Sequence, residues 1–144
     1  MIRTNSSENT GFLLAKASSR FNELLSVRFA QQGFAEVRPS FGSVLVPLFD
    51  HEDGLRLGEL ATASRLSKQS ITGLVRVCEQ AGLVVRERDP DDGRAFRLRL
   101  SERGLEFRDV ARQVLRDLDD ELVRSLGNQR HKALKEALKG VMDL

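Results

Sequence analysis

Tryptophan and tyrosine are absent from this 144-residue chain, cysteine occurs once, histidine twice and proline three times. A single cysteine excludes an intramolecular disulfide framework, and no Cys/His grouping has the spacing of a metal site. His51 and His131 lie far apart, and there is neither a G-x-S-x-G elbow nor a phosphate loop around which to build an active site. No catalytic residue, metal ligand or cofactor is therefore assigned, and the chain is read as a non-enzyme. No apolar run approaches the roughly 20 residues that cross a bilayer. The opening Met1–Thr10 lacks the apolar core of a signal peptide, so a cytoplasmic protein without membrane attachment is expected. A net charge of +2 is too small to announce a polyanionic partner by itself, so the distribution of charge has to decide.

What is present suits one domain: 40% hydrophobic and 31% charged residues over a length sufficient to bury a core. The most informative stretch is Leu57–Leu100. Ser67 has the hydroxyl of an N-cap and Gly82 the conformational freedom of a helix stop, which predicts a helix between them. Ile71, Leu74, Val75 and Cys78 recur at three- and four-residue spacing as its buried stripe. Cys78 is accordingly a core residue, since a reactive thiol needs exposure and cationic neighbours. The other face carries Gln69, Thr72, Gly73 and Arg76, with Lys68 and Ser70 beside it. Gln suits adenine, Arg suits guanine, and Thr offers a hydroxyl or a methyl group to a base edge.

Upstream, Leu57–Ala63 reads as a short helix with Leu57, Leu60 and Ala61 inward, and Ser64-Arg65-Leu66 forms the turn of a helix-turn-helix. Downstream, Leu83–Arg88 and Ala95–Leu100 read as strands around the turn residues Asp89-Pro90-Asp91-Asp92-Gly93, with Phe96, Leu98 and Leu100 on the apolar side. The three aspartates are expected to shape that loop and to orient Arg94. Between Arg65 and Arg99 there are eight Lys or Arg against five Asp or Glu, a surplus of three positive charges.

The order Gly58-Glu59-Leu60-Ala61, Leu66-Ser67-Lys68-Gln69-Ser70-Ile71-Thr72, Glu79-Gln80-Ala81-Gly82-Leu83-Val84, Asp89-Pro90-Asp91-Asp92-Gly93-Arg94-Ala95 and Leu100-Ser101-Glu102-Arg103-Gly104 closely resembles the MarR family. These are bacterial winged helix-turn-helix transcriptional regulators of the multiple-antibiotic-resistance type. Many members carry two basic residues after the wing aspartate, whereas here Gly93 takes the first place and Arg94 the second.

The remaining chain reads as helices. A long one is predicted over Ser7–Gln32, with Phe12, Leu13, Leu14, Ala17, Phe21, Leu24, Leu25 and Phe29 as its stripe and Gly33 at its end. Pro39 and Ser40 introduce another through Phe49, in which Pro47 predicts a kink or an early loosening. Leu55-Arg56 adds a short strand beside the wing. Ser101 caps a helix to about Ser125, and a last one follows from Gln129. The expected fold is mainly α with a small β-wing: residues 39–100 form the winged helix-turn-helix, while 1–34 and 101–144 form the helical dimerisation region of one intertwined domain. Apolar residues at both ends exceed what a single copy can cover, which signifies a partner.

The resemblance implies that this partner is a second copy of the chain, and that the homodimer represses genes from a pseudo-palindromic duplex operator. On that reading Gln69, Ser70, Thr72, Gly73 and Arg76 read bases. Arg65, Ser67, Lys68 and some of Arg86, Arg88, Arg97 and Arg99 hold phosphates, and Arg94 enters the minor groove. It also implies release by a small aromatic effector, for which Phe12, Phe21, Phe41, Leu45 and Phe49 are the candidate lining residues. The rival reading is a winged helix that binds protein without DNA.

Overall fold

The computed structural model describes residues 5–144, so the first four residues of both the amino-terminal stretch and the predicted dimerisation region lie outside it. Two asparagines set the start of the first helix. Asn5 opens a 3₁₀ turn over Ser6–Glu8, and the Asn9 side chain then accepts from the Gly11 amide (2.9 Å), so α1 spans Thr10–Gln31 rather than beginning at Ser7. Of the four phenylalanines between residues 12 and 34, Phe29 and Phe34 are buried, Phe21 is half-buried and Phe12 is exposed.

A 3₁₀ turn at Pro39–Phe41 leads into α2, Gly42–Phe49. Pro47 lies inside this helix, two residues before its end. The carbonyl that loses a donor is that of Ser43 in the first turn, and the helix continues unbroken to Phe49. Next come β1 (Leu55–Arg56), α3 (Leu57–Ser64) and α4 (Lys68–Gln80). Helices α2, α3 and α4 pack on one another, burying Val44, Leu45, Leu48, Leu60, Ile71, Val75 and Cys78.

The wing is β2 (Val84–Asp89) and β3 (Asp92–Leu100), joined through Pro90-Asp91. The strands run further into the turn than their apolar alternation predicts, because Asp89 pairs with Asp92. β1 pairs antiparallel with the far edge of β3, Leu55 opposite Leu98, giving the order β1-β3-β2. Leu98 and Leu100 enter the core, but Phe96, on the same face, is 52% exposed. The helices cover the base of the wing and stop short of it.

Ser101 joins the wing to α5 (Glu102–Leu126). Its hydroxyl accepts from the Gly104 amide (3.0 Å) and donates to the Gly82 carbonyl, while its own amide donates to the Leu83 carbonyl (2.9 Å). Gly104 must be glycine, because a Cβ there would lie 2.2 Å from the Leu83 oxygen. One turn on, Phe107 meets the rings of Phe29, Phe34 and Phe49 at centroid distances of 4.9, 5.3 and 6.3 Å. Arg103 stacks over Phe34 and bonds Glu36 and the Gly33 carbonyl.

The chain forms two compact units, Met1–Val110 and Ala111–Leu144. In the second unit, α6 (Asn128–Met142) follows Gly127, and Asp119 of α5 bonds His131 (3.3 Å) and Lys135 (3.1 Å). Leu134, Leu138, Val141 and Met142 of α6 are exposed. No helix among the described residues is long and apolar enough to cross a membrane.

Candidate nucleic-acid interface

Three features of the sequence set the presentation of α4. Arg65 takes a left-handed conformation (φ 55°) to end α3, which turns the chain sharply before Leu66. Ser67 then caps α4 by accepting from the Ser70 amide (3.1 Å). Burial of Ile71, Val75 and Cys78 finally fixes the rotation of the helix, so that Lys68, Gln69, Ser70, Gly73 and Arg76 are left exposed.

The hydroxyl groups on this face are largely committed to the chain itself. Ser67 donates to the Ser70 oxygen (3.0 Å), and Thr72 donates to the Lys68 carbonyl (2.5 Å). Ser67, Ser70 and Thr72 therefore stiffen the first turns and offer lone pairs or a methyl group outward. By contrast, the side chains of Lys68, Gln69 and Arg76 make no hydrogen bond or ion pair within the described residues. A charged or amide group free of internal partners loses nothing internal when it bonds a base or a phosphate.

Leu57 departs from the sequence reading. It is half-buried and, with Lys68, Gln69, Thr72, Gly73 and Arg76, lines a shallow depression on this face. Its apolar spacing signals burial and carries no sign that the first residue of α3 sits at the edge of the core.

In the wing, the phosphate candidates separate by their partners. Arg86 bonds Glu79 of α4 (2.9 Å), Arg99 bonds Glu87 across the hairpin, and Arg97 bonds Asp89 (3.2 Å). Arg88 and the side chain of Arg94 are without an ion pair among the described residues, and both are exposed. Arg65 is exposed and already has an interaction within the chain.

Asp89 shapes the wing loop, as read in the sequence, and also holds two arginines that the sequence does not connect to it. Only 2% exposed, it accepts from the Asp91 amide (2.9 Å), from Arg56 (2.7 Å) and from Arg97, and it makes no bond to Arg94. The Asp91 amide above all, with the two guanidinium groups, holds its carboxyl down at about 2 against the opposing effect of burial. Asp92 acts on Arg94, accepting from its amide (3.0 Å). Nothing in residue spacing announces Arg56 as a partner of Asp89, because the pairing depends on β1 joining the sheet.

Cys78 is fully buried, and desolvation pushes its thiol up to about 12. The five effector candidates do not share one environment: Phe41, Leu45 and Phe49 are buried, Phe21 is half-buried and Phe12 is 45% exposed.

Comparison with known proteins gives a match to the model of the MarR family over residues 48–95. A search of curated protein sequences finds no match. Among solved structures, a probable transcriptional regulator from Pseudomonas aeruginosa is 23% identical, with 95% of this chain and 99% of that one covered and a TM-score of 0.80. The transcriptional repressor CouR bound to a 23-mer DNA duplex is 27% identical over 94% of each chain, with a TM-score of 0.79. CouR from Rhodococcus jostii RHA1 bound to p-coumaroyl-CoA is 25% identical over 94% of this chain and 92% of that one, with a TM-score of 0.74.

Proposed function

We propose that the chain is a winged helix-turn-helix transcriptional regulator of the MarR family and that it binds duplex DNA as a homodimeric repressor on a pseudo-palindromic operator. The observation that carries this reading is the exposed, internally unpartnered set Lys68, Gln69 and Arg76 on a rigidly capped helix. Gln69 and Arg76 read base edges in the major groove, with Ser70, Thr72 and Gly73 close to the same bases. Lys68, Arg65 and the Ser67 lone pairs meet phosphate, joined by Arg88, and Arg94 enters the minor groove. The exposed Phe12, Leu13 and Val27 of α1, and the open apolar residues of α6, support a second copy as the partner.

Regulation by a small aromatic effector is supported by the solved CouR complex with p-coumaroyl-CoA. In this chain Phe41 borders an open cavity with Arg38, Leu74 and Val77, Phe21 is half-buried, and Leu45 and Phe49 lie in the core.

Selection from random duplex DNA tests binding, symmetry and spacing together. It should return two inverted half-sites about one helical turn (~34 Å) apart. Failure to enrich any sequence at low salt would leave the protein-interaction reading in its place. Gln69→Ala and Arg76→Ala should each relax preference at particular base pairs by about 1–3 kcal/mol. An equal loss on all base-pair variants would remove these residues from base reading.

A further inference from the structure

The depression on the α4 face is an open hollow of about 530 Å³, bounded by Leu57 of α3 and by Lys68, Gln69, Thr72, Gly73 and Arg76 of α4. We propose that it receives the 5-methyl group of a thymine, which makes Leu57 and Gly73 specificity-determining residues. The inference rests on the DNA-binding reading above and extends it to one base position per half-site.

The chemistry of the hollow is mixed in a particular way. Leu57 contributes an aliphatic side chain, and Gly73 contributes the space of an absent one. The Thr72 hydroxyl is turned to the Lys68 carbonyl, which leaves its methyl group for an incoming surface. Lys68, Gln69 and Arg76, whose side chains have no partner among the described residues, supply donors around these apolar groups. On the major-groove edge of duplex DNA, thymine alone presents an apolar substituent, and it lies beside the O4 acceptor. An apolar hollow ringed by donors matches that pair of groups. Cytosine and adenine place an amino donor on the same edge, which would meet the donor-only Lys68 and Arg76 unfavourably and give Leu57 no apolar group to cover. A phosphate would use Lys68 and Arg76 and gain nothing from Leu57.

Gly73 gives independent support. A Cβ built there meets nothing within 4 Å, so internal packing does not demand glycine, and its φ is not in the left-handed region. A glycine inside a helix nevertheless lowers helix stability relative to alanine. The open space it leaves lies in the hollow itself.

The test uses the full-length protein and its selected operator, with each thymine replaced in turn by deoxyuridine in both half-sites. That exchange removes one methyl group and keeps every hydrogen-bonding group. At one position affinity should fall roughly four-fold per methyl group, or about fifteen-fold for the symmetric pair, as expected for uncovering a single buried carbon. Gly73→Ala should fold, bind the thymine duplex less tightly and no longer distinguish it from the uracil duplex. Leu57→Ala should lose the same discrimination, with its melting temperature measured alongside to separate loss of fold from loss of the methyl contact. Indifference to every thymine methyl in a protein that binds its operator, or full discrimination in Gly73→Ala, would overturn the inference alone. No binding of any duplex by the wild type would overturn the DNA reading and this inference with it.

Discussion

Removal of Arg94 should flatten the salt dependence of DNA binding, and removal of Arg97, three residues away on the same strand, should not. Each phosphate neutralised by a cation releases counterions and contributes about −0.9 to the slope of log K against log salt concentration. The cations assigned above to phosphate or to the minor groove are Arg65, Lys68, Arg88 and Arg94. The proposed two-fold dimer then offers eight, for a limiting slope of about −7. Arg94→Ala removes two of these and should bring the slope to about −5, with affinity lowered on every sequence. The Arg97 guanidinium is already bonded to buried Asp89, so Arg97→Ala should leave the slope near the wild-type value even where distortion of the hairpin lowers affinity. Fluorescence anisotropy with the operator between ~50 and ~200 mM salt gives the slope directly. Equal flattening by both substitutions would show that internal pairing does not decide which arginines meet phosphate.

Three further outcomes follow from packing and ionisation. Gly104→Ala forces a Cβ into the Leu83 carbonyl and should cost at least about 2 kcal/mol in urea unfolding; an unchanged midpoint would refute the close approach. The Asp89 carboxyl titrates below its ordinary value, so its contribution to stability is present above pH 3.8 and is lost as pH falls towards about 2. Asp89→Asn should therefore weaken the fold at neutral pH and remove part of the acid sensitivity in that window, as followed by circular dichroism. Cys78, held up at about 12 by burial, should resist a thiol reagent at pH 8 until denaturant is added, and oxidants should leave DNA binding unchanged.

Local chemistry was legible in the sequence wherever one residue settles one geometry. Ser67 and Ser101 cap the helices they were expected to cap, and the buried stripe of α4 follows from its spacing. Alternation correctly assigns Phe96 to the face of Leu98 and Leu100, but periodicity cannot say where the covering helices end, and Phe96 stands beyond them. Leu57 is the same case at the other edge. The partners of Asp89 were beyond reach because Arg56 and Arg97 come to it through tertiary pairing of β1 with β3. Charge counts likewise marked the wing as basic without separating Arg88 and Arg94 from the arginines occupied by Glu79, Glu87 and Asp89.

β1 is only two residues long and passes directly into α3, while Asp89 grips one arginine from β1 and one from β3. Glu79 of α4 holds Arg86 of β2 in turn. The hairpin is thereby tied near its base through Arg86 and near its turn through Asp89, which leaves it little freedom to swing against α4. On the proposed reading, an effector gains little leverage by bending the wing. The effective course in the proposed homodimer is to change the separation or tilt of its two copies of α4, so that both cannot fit successive grooves at once.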